Sequence, residues 1–191
     1  MNNFDFSPFP LINTDRLILR QLKKTDSRYL YLMRNNPKVS KYLDRPLYKD
    51  LFETAESIEK LNHGIGHNNW IFWAIENEDG KFVGTICLWN YNHEFNVCDI
   101  GFELDPKFQG NGYMTEAIKA TVKFAFDIIK LNGIWGFTVT ENESAINILT
   151  KNNFKQEQII EEVNSKGIKV KLSGLLLTKD SYKPSSYYAS L

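Results

Sequence analysis

The run Gln109-Gly110-Asn111-Gly112-Tyr113-Met114-Thr115-Glu116-Ala117 lies between an alternating, strand-like segment and a long amphipathic helix. Its two glycines stand close to the helix start and leave backbone N–H groups facing outward with little side chain in the way. Such a turn binds anions, phosphates above all, so a pocket for a phosphorylated cofactor is the first expectation. A nucleotide P-loop is excluded, because no Lys-Ser or Lys-Thr follows Gly112. A dinucleotide fingerprint needs a third small residue where Thr115 stands, which is a near miss. Metal and thiol chemistry have less to work with. His63, His67 and His93 are scattered, and Gly64 and Gly66 are expected to break any helix that would align the first two. Neither Cys87 nor Cys98 has a His or a second Cys at ligand spacing, so no metal site is expected and both read as free, buried thiols.

The elements that must position the glycine run follow from periodicity. Residues 1–13 carry Pro8 and Pro10 and read as an N-terminal arm. Arg16 to Arg20 reads as a first strand. Thr25-Asp26 reads as an N-cap before a short helix that Asn35-Asn36-Pro37 stops. A second helix starts at Asp50 or Thr54, and residues 62–69 read as a flexible loop. The period then changes: Trp70 to Glu76, Lys81 to Trp89 and Asn96 to Leu104 are strand-like, with Asn77-Glu78-Asp79-Gly80 and Asn90 to Phe95 as turns. Three strands without intervening helices imply an antiparallel meander, which argues against the repeated βαβ units of a dinucleotide site. A helix from about Tyr113 to Lys130 follows, its buried stripe at Met114, Ile118, Val122, Ala125 and Ile129, with Gly133 as its left-handed C-terminal residue. Then come a strand over Ile134 to Thr140, a short helix from Asn142 or Ser144 to Lys151, and a closing hairpin of Phe154 to Val163 with Ile168 to Thr178. The reading is one α+β domain over residues 14–180, with a Ser/Tyr-rich tail over 181–191.

Bulk composition narrows the partners. The chain has 191 residues, suited to one domain, and is 42% hydrophobic and 14% aromatic. Lys plus Arg equal Asp plus Glu at 23 each, which gives no support for a nucleic-acid partner. No apolar run approaches the roughly 18 residues that span a bilayer, and the first residues lack the basic and apolar regions of a signal peptide. The expectation is a cytoplasmic protein, monomer or homodimer.

Asp99-Ile100-Gly101-Phe102-Glu103-Leu104-Asp105-Pro106, followed by the glycine run, resembles the cofactor signature of the GNAT N-acetyltransferase superfamily, Gln/Arg-x-x-Gly-x-Gly/Ala. More closely, the chain resembles the branch that includes ribosomal-protein N-terminal acetyltransferases. Thr14 to Arg20, Val83 to Ile86, and Val139 to Ala145 through Lys151-Asn152-Asn153-Phe154 match its other segments in order, over roughly residues 14–178. Met114 departs from the usual small residue, and Asn153 replaces a Gly, although Asn also tolerates a left-handed backbone. The resemblance implies a GNAT-like acyl-CoA N-acyltransferase fold, with a mixed, mostly antiparallel central sheet flanked by helices. It implies acetyl-CoA as cosubstrate and direct acetyl transfer in a ternary complex to an amine: a protein N-terminus, or a small molecule such as a polyamine or antibiotic. A non-catalytic acyl-CoA sensor and a nicotinamide enzyme are the competing readings.

Such a transfer needs a proton acceptor for the amine, donors for the thioester oxygen, and a proton for the departing thiolate. Glu103 is the candidate base, one residue before the strand end, with Asp99 the alternative. Asp99, Gly101 and Glu103 share a face by alternation, and Gly101 is expected to leave room for substrate. The tyrosine acid that many superfamily members place on the later helix is replaced by Leu149. Ser144 stands where the ribosomal-protein branch has a serine proposed to assist the thiolate, although a helix cap explains it equally well. The resemblance assigns cofactor binding to Leu104, Gln109, Gly110, Asn111, Gly112, Tyr113, Met114 and Asn142. Of the aromatic residues, most of Trp70, Phe72, Trp73, Trp89 and Tyr91 read as core, with one or two of them, Tyr42 and Tyr48 lining an acceptor cleft.

Overall fold

The computed structural model describes residues 5–183. One sheet runs through them in the order β1 (Ile12–Asn13), β2 (Leu17–Gln21), β3 (Ile71–Asn77), β4 (Phe82–Asn92), β5 (Val97–Leu104), β6 (Gly133–Val139), β8 (Lys169–Thr178) and β7 (Lys155–Val163). Every pairing is antiparallel except that of β5 with β6. Five helices flank it: α1 (Ser27–Arg34), α2 (Pro37–Ser40), α3 (Leu51–Gly66), α4 (Tyr113–Lys123) and α5 (Glu143–Lys151). This is the α+β architecture with a mixed, mostly antiparallel sheet that the resemblance implied.

Alternation along the strands decides what each face carries. Trp73 and Ile75 of β3, Ile86 and Leu88 of β4, and Cys98 and Ile100 of β5 join Met114, Ala117 and Ile118 of α4 in the main core. Burying side chains of this size stabilises by about 1.5–3 kcal/mol each. Ala74 turns the other way, as does Phe82, which lies beyond the bulge that sets Gly84 opposite Ile75 but Phe82 opposite Glu76, and both join Leu30 and Met33 of α1 and Ile58 of α3. The segment ahead of β1 is held on the core: Trp73 Nε1 donates to the Pro10 carbonyl at 2.8 Å, and Phe6 is buried.

Several sequence expectations change. The helix expected to end before residue 62 runs on as α3 to Gly66. Gly64 sits under the Trp70 indole, where a Cβ would come within 2.1 Å of the ring, so this glycine is packed rather than helix-breaking. The Asp26 carboxylate does not cap α1; it accepts from the Lys23 N–H and from Arg20. The long helix stays α-helical only to Lys123 and widens into a π turn over Phe124–Ile129. Its left-handed terminal residue is Lys130 (φ 66°) rather than Gly133, which opens β6. Asn96 explains the shift: its Nδ2 donates to the Lys130 carbonyl and its own carbonyl accepts from the Asn132 N–H, which fixes the exit. Asn153 does adopt the left-handed backbone, with φ 67°.

Candidate active site

The strand-to-helix turn after β5 is built for an anion. Gln109, Gly110, Asn111 and Gly112 are exposed, and both glycines have positive φ, 83° and 79°, a conformation that L side chains rarely take. Gly112 occupies the N-cap of α4, so no side chain caps the helix and the N–H groups of its first turn are open to a ligand. Tyr113 and Met114 follow with their side chains turned away. The Tyr113 hydroxyl donates to Glu78 at 3.1 Å, and Met114 is in the core. A ligand seated at this turn would meet only their backbone N–H groups, a role that places no demand on the side chain at 114.

A clamp absent from the sequence reading stiffens this turn. The buried Glu116 carboxylate, one helical turn into α4, accepts from Thr14 Oγ1 (2.6 Å), Arg16 N (2.9 Å) and Arg16 Nε (2.8 Å). Arg16 Nη1 reaches on to the Asn111 carbonyl at 2.9 Å, and Asn111 Nδ2 donates to the Phe108 carbonyl at 3.1 Å. Burial alone would raise the Glu116 pKa, but the hydrogen bonds from Thr14 and Arg16 outweigh it and hold the group below its ordinary value.

Beside the turn the sheet opens. β5 and β6 pair only at Val97↔Gly133, Cys98↔Ile134 and Asp99↔Trp135. Beyond Asp99, β5 continues against β4 and β6 against β8. The facing edges of Ile100–Leu104 and Gly136–Val139 therefore do not pair with each other, and an extended ligand with amide groups can add between them as a strand would. A cleft of about 730 Å³ occupies this gap, with Ile100 and Phe102 on one side, Phe137 and Val139 on the other, and Asn142 and Leu149 from α5. Leu104, at the end of β5, packs on the main core.

Asp99, Trp89 and Asn90 also line the cleft, together with Tyr42 and Asp44. Asp99 is buried and accepts from Asn90 Nδ2 at 2.9 Å; burial raises its pKa against that hydrogen bond. Glu103 sits on the same face two residues beyond Gly101, but its Oε2 accepts from both Arg34 Nε (3.0 Å) and Arg45 Nη2 (3.1 Å). Neither arginine was legible in the sequence, since each arrives from a segment more than fifty residues away. The space expected beside Gly101 is partly taken: a Cβ there would stand 2.9 Å from Cys87 Sγ. Both cysteines are free and buried, and burial pushes Cys87 up to about 12, so neither offers a thiolate. Among the described residues no group of three or more His, Cys, Asp or Glu could hold a metal ion.

Asn142 caps α5: its Oδ1 accepts from Ala145 N at 3.3 Å and its Nδ2 donates to Thr138 Oγ1 at 2.9 Å. Ser144 is therefore not the cap; it is exposed on the first turn, next to Ala145, which lines the cleft. Leu149 is buried against Gly136. Of the aromatic residues, Trp73 is core, Trp89 and Tyr42 line the cleft, and Tyr48 hydrogen-bonds Arg34 and Ser57.

The chain resembles known proteins over most of its length. It is 28% identical over 155 residues to the uncharacterized N-acetyltransferase YoaA of Bacillus subtilis, covering 81% of this chain and 88% of that protein. It is 27% identical over 139 residues to the spermidine N(1)-acetyltransferase of Escherichia coli K12, covering 73% of each. The spermidine N-acetyltransferase of Vibrio cholerae, solved in complex with CoA and spermine, shares the fold with a TM-score of 0.77 at 21% identity, over 88% of this chain and 99% of that one. The acetyltransferase (GNAT) domain family matches residues 16–155. With the glycine turn, the open seam between β5 and β6 and this match in agreement, the chain belongs to the GNAT acetyltransferase family.

Proposed function

We propose that the protein transfers the acetyl group of acetyl-CoA to a primary amine by direct attack in a ternary complex. The observation that carries this is the juxtaposition of an uncapped, glycine-led helix start with the seam where β5 and β6 part. The pyrophosphate of CoA suits the N–H groups of Gly110 to Met114, and the two amides of its pantetheine arm suit the free edges of Ile100–Leu104 and Gly136–Val139. Gln109 and Asn142 flank the two ends of that path, and holding both substrates along it supplies much of the rate gain.

Asp99 is the better-supported base. It lines the cleft, carries no guanidinium partner among the described residues, and burial raises its pKa above the ordinary aspartate value. Glu103 has its Oε2 committed to two arginines, which favours a positioning role over proton transfer. The amine loses its proton to Asp99 as it attacks the thioester carbon. The C–S bond breaks, and the thiolate takes a proton from water or from Ser144, because Leu149 has none to give.

The branch resemblance points to a protein N-terminal amine, and the similarity to a spermidine acetyltransferase points to a polyamine. The arginine pair disfavours the polyamine, because a polycation would be placed beside two guanidinia. The test is to mix the protein with acetyl-CoA and a panel of amines that includes peptides with free N-termini, polyamines and aminoglycosides. Thiol release with at least one amine is expected. Tight CoA binding with no release on any amine would leave a sensor domain, and retention of NAD with no affinity for CoA would point to a nicotinamide enzyme.

A further inference from the structure

Two guanidinia share one carboxylate beside the cleft. Arg34, almost fully buried, has a complete environment: Glu103, the Tyr48 hydroxyl at 2.8 Å, and the faces of Phe72 and Tyr48. Arg45 does not. Its Nη2 donates to Glu103, but its Nε is buried with no hydrogen-bond partner, and its side chain is still 24% exposed. Among the described residues Glu103 is the carboxylate that bears on Arg45, and the like charge of Arg34 opposes it. The neighbouring carboxylates are committed elsewhere, Asp44 to Ser165 N at 2.9 Å and to its hydroxyl, Asp99 to Asn90. Burial first, and then Arg34, lowers the Arg45 pKa against the pull of Glu103. A half-buried cation that must share its counter-charge with a second guanidinium is costly, and this one directly follows the segment Lys41–Asp44 that lines the cleft.

We propose that Arg45 anchors an oxyanion on the acceptor, so that the amine acetylated here belongs to a molecule that also bears a carboxylate or a phosphate. This rests on the acetyl-transfer reading above and names the acceptor class for it. The guanidinium fork presents five N–H donors and matches both kinds of oxyanion in a bidentate way. One bound oxyanion balances the two guanidinia against two negative charges. Glu103 is then a positioning residue that holds the fork beside the segment Lys41–Asp44 of the cleft, while Asp99 receives the proton of the amine.

The experiment compares matched acceptors by acetyl-CoA-dependent thiol release: hexylamine against 6-aminohexanoate for the carboxylate arm, glucosamine against glucosamine 6-phosphate for the phosphate arm, and spermidine as the polycation. The anionic member of at least one pair is expected to have a kcat/KM about tenfold or more above its neutral partner, and the arm that responds identifies the oxyanion. In Arg45→Gln that ratio falls toward unity through a rise in acceptor KM, with KM for acetyl-CoA within about twofold of wild type. Arg45→Lys, which keeps the charge, restores part of it; this and an unchanged melting profile separate recognition from misfolding. Preference for spermidine or for the neutral partners, or a ratio that survives Arg45→Gln, overturns the proposal. If no amine is acetylated, the acetyl-transfer reading fails, and the oxyanion site is read on its own. Acetate and inorganic phosphate are then titrated calorimetrically into the CoA-saturated protein: heat lost in Arg45→Gln supports the site, and equal heats in both proteins overturn it.

Discussion

The two sides of the cleft are made of different materials. On the proposed donor side, what is offered is backbone: exposed glycines, an uncapped helix start and two strand edges that have parted. Its side chains turn inward, Met114 to the core, Tyr113 to Glu78 and Glu116 to Thr14 and Arg16. On the proposed acceptor side, what is offered is side chain: Arg34 and Arg45 meet Glu103 from α1 and the stretch before α3, and Asp99 stands on the same strand. A backbone cradle fits one invariant group and tolerates little change. A side-chain cluster can be rewritten one residue at a time, which suits the part of an enzyme that chooses its substrate.

This contrast can be broken by substitution, and the largest effect is expected at Asp99. Asp99→Asn should lower kcat by about a hundredfold or more while leaving KM for acetyl-CoA near wild type. Because burial raises the pKa of this acid and the base must be ionised, kcat/KM should climb with pH through a value above the ordinary 3.8 of an aspartate, and that limb should vanish in the variant. Steady-state pH profiles of the two proteins check both statements. If Glu103→Gln removes the limb and Asp99→Asn does not, proton transfer belongs to Glu103.

Gly112→Val should come next. A β-branched residue at φ 79° is strained by roughly 1–2 kcal/mol whatever the space around it. The expected result is a KM for acetyl-CoA raised about tenfold or more, with acceptor KM unchanged. A rise in both constants would show that the two sides are not separable.

Arg16→Met should act in the same direction but more weakly, raising KM for acetyl-CoA about fivefold, because it frees the Asn111 carbonyl without altering the turn's backbone. The clamp also has a pH signature. The folded-state pKa of Glu116 lies below its ordinary value of 4.5, so its contribution to stability is present above that value and is lost as pH falls through the folded pKa. Melting temperature followed downward from pH 5 should therefore fall more steeply in wild type than in Glu116→Gln; parallel curves would refute the assignment.

The smallest effect is expected at Asn142. Its loss as a cap in Asn142→Ala should cost about 1 kcal/mol of stability, read by denaturant titration. A kinetic effect beyond that loss would give Asn142 a direct part in holding acetyl-CoA.

The same contrast explains what could be read without coordinates. The donor side was legible because a glycine turn before a helix is local: Gly110, Gly112 and the stripe beginning at Met114 lie within a few residues, and the strand-to-helix switch marks the spot. The meander and the closing hairpin were legible by period. The acceptor side was not, because Arg34 and Arg45 meet Glu103 only after α1 and the following stretch fold over the sheet. Gly64 was misread for a related reason, since the indole that covers it belongs to the next strand's approach and leaves no local mark. The helix end near Lys130 was legible, but its left-handed residue was placed at Gly133 because Asn96, which binds the Lys130 carbonyl, lies in a distant segment.

The most direct test of the division between a backbone donor side and a side-chain acceptor side is a crystal structure of the protein with CoA. The account predicts pyrophosphate oxygens on the N–H groups of Gly110 to Met114, and pantetheine amides hydrogen-bonded along Ile100–Leu104, with Arg34 and Arg45 left free of the cofactor. A pyrophosphate held instead by lysine side chains, for example in the recess of Lys119, Lys123 and Lys151 behind α4, with the glycine turn empty, would contradict it.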